Sequence, residues 1–328
     1  MNIRARAKVA LNSLGLRPAV ERGLVEAGLL GERVQRLVRG GPEPSQAIVL
    51  AGSGRSGTTW LSDVLSTVPG TQRIFEPLRQ APRWEPALAT SARSPYLRPE
   101  GDYPRWNALL YKVLTGRCRT YWTDSRRTSF FPERLLIKEI RANLMLGYVH
   151  DHFGPRIVYL LRHPCAVVAS RIRLGWRINL GDLLRQEELV EDHLSGWVPH
   201  MERARNDPVA SHAIWWSVES RVAALQLATR RHFRSYYERL VLNPRESVGE
   251  MLAWLGLEGS RIDEERFKRS SHTTWAGGGD GAGDREVSIQ RLSSWKRQLS
   301  AEEQRLVLDW ASRLDVTHYG DDPLPVSG

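Results

Sequence analysis

A glycine-rich loop between an apolar strand and a helix is the part of this 328-residue chain that is best suited to chemistry. The strand is predicted over Ala47-Ile48-Val49-Leu50-Ala51 and the helix from Thr58 to about Thr67, and the loop runs Gly52-Ser53-Gly54-Arg55-Ser56-Gly57-Thr58-Thr59. The backbone N–H groups of such a loop, together with the positive end of the helix dipole, bind phosphate. We therefore expect a phosphate site here.

The loop departs from the nucleoside-triphosphate pattern G-x-x-x-x-G-K-[ST] at one position. Gly52, Gly57 and Thr59 fit the spacing, but Thr58 occupies the place of the lysine that reaches the terminal phosphates. The cation is Arg55, inside the loop. An ordinary NTPase is therefore not expected. The loop suits a phosphate whose attached group is neutralised by a cation in a different position from the lysine of the NTPase pattern.

The elements that position this loop predict an α/β fold. Four further short apolar strands are expected, most of them followed by helical periodicity: Arg73 to Phe75, Leu135 to Lys138, Ile157 to Leu161 and Tyr236 to Leu242. This alternation is typical of a parallel sheet covered by helices. The turn-rich segment Gly40-Gly41-Pro42-Glu43-Pro44 predicts a boundary. We expect a basic helical arm and linker over residues 1–44, one large domain over 45–320 and a tail over 321–328.

Motifs in this frame resemble the sulfotransferase superfamily. Arg55-Ser56-Gly57-Thr58-Thr59-Trp60 is similar to the loop [KR]-S-G-T-[ST] with which that family holds the 5′-phosphosulfate of 3′-phosphoadenosine 5′-phosphosulfate (PAPS). A second block resembles the family's 3′-phosphate element, in which an apolar strand ends in R-[DH]-P and a serine follows eight residues after the arginine. Arg162 and Ser170 match these two positions.

Two more segments extend the resemblance over residues 47–320. Tyr236 to Pro244 is similar to the family's Y-E-[DQ]-L-V-x-x-P stretch, and Ser294-Trp295 resembles its C-terminal cofactor-covering region. The resemblance implies the sulfotransferase fold, a P-loop-type central parallel sheet flanked by helices. The motifs are most similar to the carbohydrate and tyrosylprotein branches, whose Golgi members are anchored, and the lack of an anchor here favours a bacterial source.

The resemblance implies PAPS as the donor, 3′-phosphoadenosine 5′-phosphate (PAP) as the product and no required metal. The cofactor-binding residues that it implies are Gly54, Arg55, Ser56, Gly57, Thr58, Thr59, Trp60, Arg162, Ser170, Tyr237 and Ser294. Arg162 ends a strand before a helix start, where a guanidinium fork and a helix dipole suit a 3′-phosphate dianion. Trp60 either stacks on adenine or packs behind the loop as a core side chain.

Sulfuryl transfer requires a base for the acceptor and one or two cations for the leaving 5′-phosphate oxygen. Glu76 is the candidate base, because it ends the second strand at the carboxyl edge of the sheet, where Pro77 favours an extended backbone. This position resembles the strand-end glutamate of several Golgi-type sulfotransferases, carbohydrate sulfotransferases in particular. A histidine base, as in the cytosolic branch, is the alternative, and the candidates are His150, His152, His163 and His193.

Arg55 and Lys138 are the candidate catalytic cations. Lys138 lies on an apolar strand and is one of only five lysines beside 42 arginines. Its spacing of 24 residues before Arg162 resembles that of the catalytic lysine in protein-tyrosine sulfotransferases. Each preorganised charge of this type contributes about 10²- to 10³-fold in rate.

Residues 79–131 lack clear periodicity and are rich in Pro, Arg and aromatic side chains. Two interpretations stay open: an excursion that packs its rings on the domain, or an acceptor cleft in which rings stack on a sugar or another flat apolar face while arginines hold anionic groups. The nine aromatic residues are Trp84, Tyr96, Tyr103, Trp106, Tyr111, Tyr121, Trp122, Phe130 and Phe131. A small-molecule or carbohydrate acceptor is expected, and its identity stays open.

Composition restricts partners and location. The net charge is +10, but +5 of it lies in residues 1–40, so the remaining charge falls short of a DNA-binding footprint and no nucleic acid is expected. The basic arm is either a surface helix or a peripheral contact with anionic lipid. The chain has only two cysteines, Cys118 and Cys165, which cannot form a disulfide framework. It also lacks an 18-residue apolar run and a secretory h-region, so a cytoplasmic location is expected. The oligomeric state stays open.

Two other functions compete with sulfuryl transfer. A P-loop-type nucleotide kinase would need a lysine from elsewhere and Mg²⁺ ligands after an apolar strand. A non-catalytic nucleotide- or glycan-binding module would keep Arg162 and Ser170 but tolerate the loss of Glu76.

Overall fold

Five parallel strands form the centre of the molecule. The structure is a computed structural model that describes residues 42–89, 92–124, 132–268 and 285–326, with a few positions between 20 and 31. The strand order is β2-β3-β1-β4-β5. Their bounds are β1 Ile48–Ala51, β2 Thr71–Phe75, β3 Arg134–Glu139, β4 Arg156–Leu161 and β5 His232–Tyr236. The expected parallel sheet is confirmed.

Helices follow the strands and cover both faces of the sheet. The longer ones are α1 Thr58–Leu65, α2 Pro104–Leu114, α3 Leu146–Phe153, α4 Pro164–Arg173, α5 Val198–Ala204, α6 Pro208–Leu227, α7 Tyr237–Leu242, α8 Pro244–Trp254, α9 Arg285–Leu292 and α10 Ala301–Arg313. Short helical turns are Pro44–Gln46, Pro77–Gln80, Ala81–Trp84, Pro86–Leu88, Tyr121–Asp124, Gly181–Leu184, Glu187–Leu189, Val190–Leu194, Glu265–Lys268 and Ser294–Arg297.

The two faces of the sheet bury separate apolar clusters, because successive side chains of a strand point to opposite sides. On one face, Leu50 of β1 packs in a cluster with Leu61 of α1 and Met251 of α8. On the other face, Val49 belongs to a cluster that includes Trp216 of α6. This packing fixes β1 in the centre and holds the loop after it at the middle of the carboxyl edge.

One predicted strand is wrong. The segment from Tyr236 to Leu242 was expected to be extended, but β5 ends at Tyr236 and α7 occupies Tyr237–Leu242. A short apolar run fits a buried strand and a buried helical turn equally well by periodicity. Here the helical turn is favoured because it buries Leu240 and brings the Glu238 carboxylate to the His163 backbone N–H and the Tyr319 hydroxyl.

The segment 79–131 divides into a packed part and an exposed part. Trp106 of α2 and Tyr96 are buried, as expected for rings that pack on the domain. Trp122 is exposed, contacts the Phe75 ring edge-on and lies under the Arg79 guanidinium, 4.7 Å from it. Residues 125–131, with two of the nine aromatic side chains, lie outside the described residues, as does most of the N-terminal arm. No helix in the described ranges has both the length and the apolar character needed to span a bilayer.

Candidate functional site

The glycine-rich loop adopts two left-handed residues, which turn it back from β1 into α1. Arg55 has φ 79° and Gly57 has φ 91°. A Cβ atom on Gly57 would also collide with the Tyr237 ring, and a Cβ on Gly54 would lie 2.9 Å from Cζ3 of Trp176. The loop therefore requires glycine at both positions, by conformation and close approach at Gly57 and by close approach at Gly54.

Two residues that lie more than 100 positions after Arg55 in the sequence, Arg162 and Ser170, contact it at this loop. The Nε of Arg55 donates a hydrogen bond to Oγ of Ser170, at 3.1 Å. Nη1 of Arg162, at the end of β4, donates to the Arg55 carbonyl oxygen at 2.9 Å, and its guanidinium lies 4.4 Å from the centre of the Tyr237 ring. Burial and the nearby Arg162 charge lower the pKa of Arg55. This concentration of positive charge suits an anionic ligand.

A buried ion pair under the loop was not predicted from sequence. Arg171 donates from Nε to the Gly54 carbonyl oxygen at 3.1 Å and from Nη2 to Oγ of Ser53 at 2.7 Å. Its guanidinium is 3.7 Å from the Glu219 carboxylate, which also accepts a hydrogen bond from Ser53. The only sequence signal was a glutamate inside the apolar run of α6. Arg171 and Glu219 hold the loop in position.

Glu76 and Lys138 form an ion pair at the neighbouring strand ends. Phe75 of β2 is in register with Lys138 of β3, so the next residue of β2 reaches the lysine ammonium. Both residues are buried, and the ammonium also lies 4.6 Å from the centre of the Phe75 ring. Burial lowers the pKa of Lys138, whereas the Glu76 carboxylate opposes this shift. The candidate base and a candidate cation are thus in direct contact.

The backbone of Glu76 is not extended, as was expected from Pro77. It has φ 45° and ψ 56°, which is the left-handed region. Its N–H donates to the Lys138 carbonyl oxygen at 2.8 Å, and its carbonyl accepts from the Arg79 N–H at 3.2 Å. These contacts and the ion pair outweigh the preference of a residue before proline for an extended backbone. That preference disfavours the right-handed helical region but does not exclude a left-handed turn. A non-glycine residue in this region is uncommon outside turns and functional sites.

Glu139 joins the ends of β2 and β3. Its carboxylate accepts three backbone hydrogen bonds, from Leu78 at 2.9 Å, Ile140 at 2.9 Å and Arg141 at 3.0 Å. Burial, followed by the nearby Glu76 carboxylate, raises the pKa of Glu139 to about 7. This residue positions the turns on either side of the ion pair, and sequence reasoning assigned it no role.

His163 has a structural role in the fold. Its Nδ1 accepts a hydrogen bond from the Cys165 N–H at 3.2 Å, and its Nε2 lies 3.0 Å from the Gly320 carbonyl oxygen. Its ring stacks on Trp295 at 4.4 Å. Both ring nitrogens are therefore engaged by the backbone.

The other candidate histidines also have partners of their own. His150 and His152 lie in the last turn of α3, which runs back toward the start of β4 and so away from the carboxyl edge. His193 contacts the Tyr96 hydroxyl at 3.1 Å. Glu76 thus has the better position among the predicted bases, and its role stays a prediction.

The burial of two histidines predicts acid sensitivity of the fold. Burial lowers the pKa of His163 to about 4, and burial with the Arg171 charge lowers that of His212 to about 4. Between pH 6.5 and 4 these two histidines are protonated in the unfolded chain but neutral in the folded chain, so their contribution to stability falls as the pH falls through this window. Glu139, whose pKa is raised, contributes in the opposite direction. The variant His163→Asn keeps an acceptor for the Cys165 N–H. We expect its melting temperature to decrease less between pH 7 and pH 4.5 than that of the wild type.

Melting curves at both pH values check this expectation. His200→Asn, at a partly exposed histidine of α5, serves as the matched control and should follow the wild type. Equal pH dependence of His163→Asn and the wild type would contradict the expectation. The pH dependence that remains in His163→Asn includes the contribution of His212.

Two further predicted cofactor residues, Trp60 and Ser294, lie outside the loop itself. Trp60 of α1 is partly buried and packs on the apolar cluster of that face, with its ring centre 6.3 Å from that of Phe267. Ser294 begins the turn whose Trp295 stacks on His163, the neighbour of Arg162. Within the described ranges, no group of three or more His, Cys, Asp or Glu side chains could hold a metal ion.

Solved structures to which the chain is similar include the sulfotransferase domain of the Synechococcus PCC 7002 olefin synthase, at 20% identity and a TM-score of 0.45. The match covers 83% of this chain and 95% of that chain. The sulfotransferase domain from the curacin biosynthetic pathway has 16% identity and a TM-score of 0.45 and covers 84% and 99%. Mouse sulfotransferase SULT7A1 complexed with PAP has 12% identity and a TM-score of 0.41 and covers 81% and 83%. No curated protein matches the chain in sequence.

A family model described as "Sulfotransferase family" matches residues 47–261. The matched region includes the glycine-rich loop, the Glu76–Lys138 pair and the Arg162 and Ser170 element. Because this match covers about two thirds of the chain and agrees with the parallel sheet and its loop, the protein belongs to the sulfotransferase family.

Proposed function

We propose that this sulfotransferase moves a sulfuryl group from PAPS to a hydroxyl of a carbohydrate, lipid or small-molecule acceptor by in-line displacement. The observation that carries the proposal is the Glu76–Lys138 ion pair, which lies on the same sheet edge as the cluster of Arg55, Ser170 and Arg162. A base and a cation are thus paired beside a group of phosphate-binding side chains.

The loop has the groups that a phosphosulfate donor requires. The Oγ of Ser56 and the Nε of Arg162 are buried, and neither has a hydrogen-bond partner among the described residues. Buried polar atoms without partners are costly, and a bound phosphate oxygen would satisfy them. The N-terminus of α1 adds free backbone N–H groups and a positive dipole end. Residues of the loop and Arg162 fit the two phosphate groups of PAPS.

The donor supplies a sulfuryl group on a good leaving group. Glu76 would accept the proton of the acceptor hydroxyl as that oxygen forms its bond to sulfur. Arg55 and Lys138 would neutralise the electron pair that stays on the 5′-phosphate oxygen when its bond to sulfur breaks. Because Lys138 pairs with Glu76, protonation of that carboxylate leaves the ammonium charge available to the leaving oxygen.

Binding of the donor product tests the proposal directly. We expect PAP to bind the purified protein more tightly than ATP with Mg²⁺ in calorimetric titrations. Arg162→Met should weaken PAP binding at least about 30-fold, since it removes a charged partner of the phosphate. Arg156→Met, at the exposed amino end of the same strand, is the matched control and should bind like the wild type.

Each other outcome has a defined meaning. Tighter binding of ATP with Mg²⁺ would replace the proposal by the nucleotide kinase. Binding of PAP without sulfuryl transfer to any hydroxyl acceptor would favour the non-catalytic module. An equal loss in both arginine variants would contradict the role of Arg162.

A further inference from the structure

A small, partly open cavity, with enclosed space for about one water molecule, lies beside the glycine-rich loop. It opens between the ends of β1 and β3, where Gly54 and Ile140 contribute to its wall. None of its charged side chains belongs to the catalytic pair or to the predicted cofactor contacts.

The cavity has an excess of positive charge. Three guanidinium groups, from Arg93, Arg141 and Arg171, line it, with Glu219 as the one lining carboxylate. That carboxylate is already engaged by Arg171 and by the hydroxyls of Ser53 and Ser94. Neither Arg93 nor Arg141 forms an ion pair with a residue that the structure describes.

Two guanidinium nitrogens in this wall are buried without a partner among the described residues. They are Nη1 of Arg171, a residue that is 2% exposed, and Nε of Arg141. Burial, the charge of Arg93 and that of Arg55 oppose the Arg171 charge and lower its pKa to about 10, although Glu219 acts in the other direction. An anion in the cavity would satisfy both nitrogens and relieve the repulsion between the arginines.

The rest of the wall is apolar and aromatic. Trp176 lies under two of the arginines: its ring centre is 5.6 Å from Cζ of Arg93 and 5.9 Å from Cζ of Arg171. Trp215 and Ile178 complete the wall.

Arg141 follows Lys138 by three residues at the end of β3. Its backbone N–H donates to the Glu139 carboxylate, which also accepts from the N–H of Leu78, two residues after Glu76. A molecule whose anionic end lies in the cavity can therefore extend a hydroxyl toward the candidate base.

We propose that the acceptor carries a carboxylate, phosphate or sulfate group, which binds among Arg93, Arg141 and Arg171 next to an apolar or flat portion on Trp176. This inference rests on the proposed function, because it makes the cavity the acceptor's anchoring subsite.

Binding of an isosteric pair of probes tests the subsite without a known acceptor. Benzoate and benzamide have the same shape and differ in charge, and the protein is first saturated with PAP so that the donor site is filled. We expect benzoate to bind the wild type at least about 10-fold more tightly than benzamide, as charge-assisted hydrogen bonds to two or three guanidinium groups require. The double variant Arg93→Met/Arg141→Met should bind both probes equally.

The controls separate this inference from the proposed function. Arg205→Met removes a charge from an exposed arginine outside the cavity and should retain the preference for benzoate. Arg171 is left intact, because it holds the loop. Failure of the wild type to bind PAP would overturn the proposed function alone, since the probes can also be titrated without PAP. Equal binding of the two probes, binding of neither at millimolar concentration, or a benzoate preference that survives in the double variant would overturn the subsite.

Discussion

Replacing Glu76 by glutamine is expected to lower kcat for sulfuryl transfer by about 10²- to 10⁴-fold, the usual contribution of a positioned general base. Glutamine has the shape of glutamate and can still accept a hydrogen bond from Lys138, but it cannot take up the acceptor proton. PAP affinity should not fall, because Glu76 is connected to the predicted phosphate ligands only through Lys138, and that cation is retained in the variant. Steady-state rates and calorimetric titration of PAP measure the two quantities separately.

A matched variant shows whether the loss belongs to this position. Glu133→Gln changes the same functional group at an exposed site paired with Arg134, and its rate should equal that of the wild type. A Glu76→Gln protein that transfers sulfuryl groups at the wild-type rate would exclude Glu76 as the base. His193 would then be the histidine to test, because His163 is engaged through both ring nitrogens.

Replacing Lys138 by methionine is expected to lower kcat by about 10²- to 10³-fold, because the charge that develops on the leaving oxygen loses a preorganised cation. Methionine fills a similar volume in this buried position, so the surrounding core keeps its packing. The substitution also leaves the Glu76 carboxylate without its ammonium partner. Melting temperature should therefore be measured beside the rate, and Lys112→Met, at a partly exposed lysine of α2, is the control for loss of a lysine.

The double variant Glu76→Gln/Lys138→Met tests whether the two residues act together. If protonation of the carboxylate releases the lysine charge to the leaving group, the combined loss in kcat is much smaller than the product of the two single losses. Losses that multiply would show that the two groups act independently and would contradict this coupling. An unchanged kcat in Lys138→Met would remove the lysine from the catalytic machinery.

Local motifs in the sequence were sufficient to predict the fold family and to identify the glycine-rich loop between a strand and a helix. The loop lies between a strand and a helix that are contiguous in sequence, and Arg162 and Ser170 lie eight residues apart on one strand–helix unit. Phosphate binding by backbone N–H groups depends on such local geometry. These features also carry the family resemblance, which the match over residues 47–261 confirms.

Contacts between distant strands decided what the sequence could not. The Glu76–Lys138 ion pair joins residues 62 positions apart and depends on the register between β2 and β3. A shift of this register by one residue would abolish the ion pair. The Arg171–Glu219 pair depends on how α4 and α6 pack against each other. Burial, a tertiary property, gave His163 a structural role. The sequence by itself thus determined the fold family and the local segments that are suited to phosphate. Only the tertiary structure decided which charged side chains share a buried site, because desolvation and pairing arise from packing between elements.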